Sequence, residues 1–292
     1  MDYLKQYAKF LRRFLAAQQP LTVVFDCSNG SVGPVLRALF RDPRRLRAIF
    51  INDQPDGEFP GHGPNPMEPH ASRDIVRAIR ARRADLGVLF DADGDRAFFF
   101  DRRGRAIAPD IIAALLAKGT RGAILLEVRF GSVAAHLLRG RRIIRTPVGG
   151  TTIKPRMRRL GAALAAEYSG HYYFRDFFFS ESGILAAIKV INRISRFRDF
   201  EAWVDALPRV YRSPEINFKV KNKRAALSRV AAAFHKTSRR ISRIDGITAE
   251  FPDGSWFNLR PSNTENLLRL NAEARTKSLV RYRTRKIKKL LR

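Results

Sequence analysis

The sequence predicts two mixed-sheet α/β domains followed by a smaller α+β domain. Through residue 194, apolar runs of strand length alternate with stretches of helical periodicity, the pattern of layered α/β units. After a proline-bounded stretch at 208–214 the pattern changes to short strand-like runs set between two helices. The expected divisions are 1–117, 118–212 and 213–292, and a chain of 292 residues is long enough to give each unit its own core.

In the first unit, Leu4, Tyr7, Ala8, Leu11 and Leu15 recur at helical spacing, so 3–15 is an amphipathic helix with Lys and Arg outside. Residues 21–26 read as a strand and 28–33 as the turn into a helix at 34–40. Gly30 and Gly33 in that turn fit packing better than phosphate cradling, because G-x-x-G is a weak signal. A strand at 47–51 leads to a loop, 52–66, whose Pro and Gly density forbids regular structure; loops of that length are often functional. A helix at 72–82 carries Ile75, Val76 and Ile79. Strands flank 91–96, a hairpin turns at Gly104, and a helix spans 109–117.

The second unit runs strand 122–128, helix 132–138, strand 142–146 and a basic helix 154–160, then aromatics to Phe179 and an apolar helix at 183–194. Residues 208–214 read as a linker. The third unit pairs a strand at 215–220 with a helix at 224–234. Strand-like runs follow at 247–251, 255–259 and 266–272, then a basic terminal helix. No internal repeat is visible.

Within the first unit, Asp91-Ala92-Asp93-Gly94-Asp95-Arg96 joins two buried strands. Carboxylates on alternate residues repel: at roughly 4 Å and an effective dielectric near 20, each pair costs about 4 kcal/mol. A hard divalent ion with oxygen ligands removes that cost, and Mg²⁺ is usual where a phosphate adds a ligand. A calcium EF-hand needs Gly at loop position six and Glu at twelve; Arg96 and Arg102 stand there, which excludes it. A solvated acidic turn is the other reading. Arg96, a cation beside the acidic set, favours an anion shared with a metal, so Asp91, Asp93 and Asp95 are candidate ligands.

Lys and Arg total 56 against 27 Asp and Glu, a net charge of +29. That balance invites a polyanion, nucleic acid included, although no nucleic-acid motif accompanies it. Basic residues spread over helix surfaces would explain it equally well. No apolar run approaches a membrane span, and Met1-Asp2-Tyr3-Leu4-Lys5 lacks the zones of a signal peptide. The single Cys27 rules out an internal disulfide framework and fits a reducing compartment. A cytoplasmic protein is expected.

Two further loops stand out, Glu167-Tyr168-Ser169-Gly170-His171 and Arg260-Pro261-Ser262-Asn263-Thr264-Glu265. With 91–96 they resemble, in order and spacing, the α-D-phosphohexomutase superfamily, most closely its phosphomannomutase/phosphoglucomutase branch. Its members carry a phosphoserine in a first domain, then a D-G-D-G-D-R metal loop, a G-E-x-S-G-H sugar loop and an R-x-S-N-T-E-P phosphate loop. The 59–66 loop and the stretch from Thr146 to Lys154 also match. The resemblance implies Mg²⁺ on Asp91, Asp93 and Asp95, with Arg96 steadying the phosphorylated serine. Glu167 and Ser169 would bind sugar hydroxyls, His171 would transfer a proton, and Lys154 would be a cation near the substrate. Arg260, Ser262, Asn263 and Thr264, with Arg269, would hold the phosphate that is not transferred.

Ala92, Ala166 and Asn266 replace two glycines and a proline of those loops, each a modest backbone change. The larger departure is that nothing matches the family's T-A-S-H-N-P-type nucleophile loop; Ala71-Ser72-Arg73 is only an echo. The expectation is therefore a phosphohexomutase without its phosphoserine domain. Its parent activity would interconvert hexose 1- and 6-phosphates, and the chain would be incomplete alone or served by a separate chain. A catalytically silent sugar-phosphate or polyanion-binding protein is the alternative.

Overall fold

The structure, a computed structural model, describes residues 2–41, 46–262 and 265–291. The first sheet contains β1 (Leu21–Asp26), β2 (Leu46–Ile51), β3 (Leu86–Phe90), β4 (Ala97–Asp101) and β5 (Ala106–Ile107), in the order β2-β1-β3-β4-β5. β1 runs parallel to β2 and β3, whereas β3–β4 and β4–β5 are antiparallel. Every residue of β3 is buried, as a continuous apolar run with paired neighbours on both sides requires. Helices α1 (Tyr3–Arg12), α2 (Val32–Leu39) and α3 (Arg73–Arg82) cover the sheet. Gly104 turns the β4–β5 hairpin at φ +75°, where Asp101 Oδ1 accepts from the N–H groups of Arg103 and Arg105 at 2.9 Å.

The second sheet contains β6 (Ile124–Glu127), β7 (Ile143–Thr146), β8 (Leu164–Ala166), β9 (Tyr172–Phe174) and β10 (Ser180–Glu181), in the order β10-β9-β8-β6-β7. β6 lies parallel to β7 and β8, and the rest is antiparallel. Strand for strand this repeats the first sheet. The duplication is topological: it needs only apolar runs and turns in the same order, so it leaves no repeat in the residues themselves.

Helix α4 (Pro109–Ala117), grouped by sequence with the first unit, packs on α5 (Ser132–Leu137) and α7 (Gly183–Ile194) of the second. It is apolar on nearly every face and almost wholly buried. One core consequently runs from α1 through α4 to α7 and Phe200 without a break between the two units. Helix α6 spans Gly150–Leu160, a turn earlier than expected at 154, because Gly149 C=O accepts from Thr152 N and Ile153 N ahead of Pro155. The short α8 (Phe200–Asp205), capped by Asp199, has no clear sequence period.

The 208–214 stretch is not a plain linker. It contains β11 (Tyr211–Arg212), which joins the third sheet with β12 (Ile216–Phe218), β13 (Arg240–Ser242), β14 (Ile247–Glu250), β15 (Trp256–Pro261) and β16 (Leu268–Ala274). The register sorts its residues by face. Ile241, Ala249, Phe257 and Ala272 lie across one row and pack on α9 (Lys223–Phe234) and α10 (Lys277–Leu291), a core separate from the first. On the other face Arg240, Glu250, Trp256, Glu273 and Arg212 form a cross-strand row, and Arg260 pairs with Arg269 nearer one end.

That polar face meets the second unit through Arg212. Its guanidinium reaches Asp110 Oδ2 at 2.9 Å and Glu273 Oε2 at 2.6 Å and stacks over Tyr168 at 4.3 Å. Glu273 also accepts from Ser132 N, Ser132 Oγ and Trp256 Nε1. Removing one member of such a cluster strands buried carboxylates, so Arg212→Ala is expected to destabilise the fold by about 3–5 kcal/mol. Denaturant unfolding measures this, and a loss under 1 kcal/mol would show that the cluster does not hold the third unit in place.

Candidate active site

The 91–96 loop leaves β3 and the 167–171 loop leaves β8, equivalent positions in the two repeated sheets. The structure brings them together. Ala97 N donates to Gly170 O at 3.1 Å, Arg96 and His171 form an isolated antiparallel bridge, and Gly183 N donates to Gly94 O at 3.0 Å. Gly170 takes φ +93°, and a Cβ on Gly183 would stand 2.6 Å from Arg96 O, so both glycines are required by backbone contact.

The first loop is buttressed from beneath. Ser31 N donates to Ala92 O at 2.8 Å, and a Cβ on Gly30 would lie 2.0 Å from that oxygen, which supports the packing role read from the sequence. Pro64 O accepts from Ala92 N, and Asn65 Oδ1 accepts from Arg96 Nη1 at 3.2 Å. The 52–66 loop thus positions its neighbour. Its His62 donates or accepts at Nε2, 3.1 Å from buried Asp26 Oδ1, with its side chain 4% exposed.

Carboxylate oxygens of Asp91, Asp93 and Asp95 lie within 4.8 Å of one another. Oxygen donors at that spacing, one exposed and one buried, suit a hard divalent cation. Asp91 is also bonded to Arg96 Nε, while its Oδ1 accepts from the N–H groups of Gly94 and Arg96 at 3.1 Å. Burial nevertheless pushes its carboxyl up to about 6. Burial opposes ionisation of Asp95 too, but His171 and Arg96 outweigh it and hold that carboxyl below its ordinary value.

His171 stands between two carboxylates, with Nε2 3.4 Å from Asp95 Oδ1 and Nδ1 3.4 Å from Glu167 Oε2. Ser169 Oγ lies 3.0 Å from Nδ1. Burial alone would lower the imidazole; Asp95 and Glu167 more than offset it and raise it above the ordinary histidine value. Glu167 is fixed by Gly149 N at 2.7 Å and by the Tyr173 hydroxyl at 2.6 Å, which leaves carboxylate lone pairs for a hydroxyl-bearing ligand.

Arg260, Ser262 and Arg269 come from the third sheet. Arg260 is 4% exposed, its Nε has no partner among the described residues, and its nearest carboxylate is Glu215 at 3.9 Å. Burial and then Arg129 lower its proton affinity, the signature of a cation short of an anion. Arg269 is held by Glu215 at 3.0 Å and Glu265 at 2.5 Å, and Ser262 Oγ accepts from Glu265 N. Asn263 and Thr264 lie outside the described residues. Lys154 pairs with Glu181 at 2.7 Å rather than with any of the three loops.

Sequence reasoning missed the groups that tie this sheet to the others. Buried Arg129 bonds Glu127 at 2.8 Å and faces Glu215 at 3.8 Å, and Glu127 accepts from Tyr168 N in the second loop. Asp245 accepts from Val148 N at 3.1 Å. No motif marks either residue. Tyr173 was visible only as part of an aromatic run, and Asn65 only as part of a long loop.

Domain models of one family match along the chain: "Phosphoglucomutase/phosphomannomutase, alpha/beta/alpha domain II" at 1–104, "alpha/beta/alpha domain III" at 109–211 and "C-terminal domain" at 215–289. A phosphomannomutase of Methanocaldococcus jannaschii is 31% identical over 304 residues, covering 100% of this chain and 66% of that protein. A phosphoglucomutase/phosphomannomutase family protein of Burkholderia thailandensis superposes with a TM-score of 0.88 at 27% identity, over 99% of this chain and 64% of that one. An Aspergillus fumigatus N-acetylphosphoglucosamine mutase, solved with GlcNAc-6P and magnesium, shares the fold at 15% identity and a TM-score of 0.70, over 99% and 65% of the two chains. The chain spans roughly two thirds of the length of each.

Asp26 raises the affinity of His62 for its proton, with burial opposing. A raised histidine stabilises the folded state fully below its unfolded value, about pH 6.5, and loses that contribution as pH rises through the folded value. The melting-temperature gap between the protein and His62→Gln is accordingly expected to be widest near about pH 5.5 and to close toward about pH 8.5. A gap that is constant or widens with pH would refute the pairing.

Proposed function

Because the chain belongs to the phosphoglucomutase/phosphomannomutase family of α-D-phosphohexomutases, we propose that it serves Mg²⁺-dependent transfer of a phosphoryl group between the 1- and 6-positions of a hexose phosphate. The observation that carries this reading is the backbone junction of the two loops, which sets His171 between Asp95 and Glu167. Phosphoryl transfer demands positioning and charge neutralisation more than covalent work by the protein. Asp91, Asp93 and Asp95 would hold Mg²⁺, which supplies charge neutralisation at the transferring phosphoryl group.

Arg96, anchored by Asp91 and Asn65, would steady the phosphorylated serine. Glu167 and Ser169 orient sugar hydroxyls. His171, its proton affinity raised by two carboxylates, takes or returns the hydroxyl proton. Arg260, with Ser262, Asn263, Thr264 and Arg269, binds the phosphate that stays in place, and Lys154 contributes long-range positive charge. No serine among residues 1–292 sits in a loop like the family's nucleophile, so the phosphoryl donor would be supplied from outside these residues.

Three measurements test the reading. Calorimetry should show weak Mg²⁺ or Mn²⁺ binding that Asp93→Ala abolishes; unchanged binding would remove the metal assignment. A charge-assisted hydrogen bond contributes about 1.5–3 kcal/mol, so Arg260→Ala should weaken glucose or mannose 6-phosphate binding roughly ten- to a hundredfold and leave a neutral hexose unaffected. In a coupled assay with the sugar bisphosphate present, the chain alone should show no sustained turnover; turnover surviving Ser28→Ala, Ser31→Ala and Ser72→Ala would contradict a missing donor. The basic outer face of α10, with Arg281, Arg285, Lys288 and Lys289 exposed, favours polyanion binding as the second reading. Steeply salt-dependent nucleic-acid binding without phosphosugar binding would favour it.

A further inference from the structure

Residues of the second and third units line a cavity of about 230 Å³ beside the Arg212 cluster, toward the β13 edge of the third sheet. Its walls come from both units. Val128 and Phe130 follow β6 and Arg145 lies on β7, while Arg239, Arg240, Glu250 and Trp256 belong to the third unit. Arg240, Glu250 and Trp256 are consecutive members of the polar cross-strand row.

The charge in this cavity is not balanced. Arg145 is half-buried, donates to Glu127 O at 3.2 Å, and has no carboxylate within ion-pair distance among the described residues. Arg239 and Arg240, exposed at the rim, likewise have none. Among the residues lining the cavity, three are arginines and one, Glu250, is a carboxylate. Burial lowers the proton affinity of Arg145 by more than Glu127, Glu250 and Asp110 raise it, and Arg240 adds repulsion. Buried cations are ordinarily paired, because the uncompensated charge costs several kcal/mol. Other arginines drawn out of solvent obey that rule: Arg129 has Glu127, Arg212 has Asp110 and Glu273, and Arg283 has Asp253.

We propose that this cavity is a second anion site, distinct from the Arg260 loop, for a small phosphate monoester with a flat apolar body. A phosphate dianion matches three guanidinium groups opposed by one carboxylate, and Arg donors suit its oxygens. Phe130, Ile244 and Trp256 offer the apolar wall for the esterified group. Because both units line the cavity, an occupant ties them together and is thermodynamically linked to their arrangement.

Phenyl phosphate is the probe, titrated calorimetrically into the full chain and three variants. Arg260→Ala should remove binding at the substrate loop and leave a saturable component. Arg145→Gln and Arg240→Gln should each weaken that component about tenfold or more, and saturating glucose 6-phosphate should not displace it. Inorganic phosphate should bind the same site more weakly, since it leaves the aromatic wall uncovered. Arg240 stands at the rim, so Arg240→Gln keeps the test valid if Arg145→Gln fails to fold. The proposal is overturned if Arg260→Ala abolishes all phenyl phosphate binding, or if the surviving component is indifferent to Arg240→Gln.

Discussion

Two backbone hydrogen bonds, from Ala97 N to Gly170 O and from Gly183 N to Gly94 O, fix the relation on which the site depends. They fuse loops from two separate sheets into one backbone unit. Neither bond could form with a side chain at Gly170 or Gly183, where backbone and ring atoms already press close. Once the loops are joined, Asp95 and Glu167 fall on opposite edges of the His171 ring without further adjustment. The raised proton affinity of that histidine is a consequence of the fusion, since each carboxylate comes from a different loop.

The two interfaces of the molecule differ in kind. The first and second units share one apolar core through α4 and α7. The third unit closes its own core on α9 and α10 and turns a polar sheet face inward. Its attachment rests on directed charges: Arg212 on Asp110 and Glu273, Arg129 near Glu215, and Asp245 on Val148 N. Polar interfaces of this type permit relative motion more readily than apolar ones.

The net charge of +29 takes on meaning against this background. The carboxylates at the loop junction form a small acidic island beside Arg96, while Arg129, Arg260 and Arg269 converge on the single carboxylate Glu215. A strongly basic surface raises the local concentration of anionic ligands, and the buried arginines give that attraction a destination. Salt would weaken the first effect more than the second, because exposed charges are screened and buried ones much less.

The sequence by itself determined the layered α/β order, the α+β end and the identity of the loops. Those features depend on local period and on short runs such as Asp91 to Arg96, which keep their meaning without neighbours. It also identified Gly30 and Gly33 as packing residues and singled out the 52–66 loop, though not Asn65 within it. Only the tertiary structure decided that α4 covers the second sheet, that 208–214 holds a strand, and that the two sheets share one topology. It alone placed Lys154 on Glu181 and brought Arg129, Tyr173 and Asp245 into the site's surroundings. The reason is physical. Strand pairing and buried ion pairs join residues far apart in the chain, and their partners are chosen by register and by the cost of leaving a charge buried alone, neither of which is written in any local pattern.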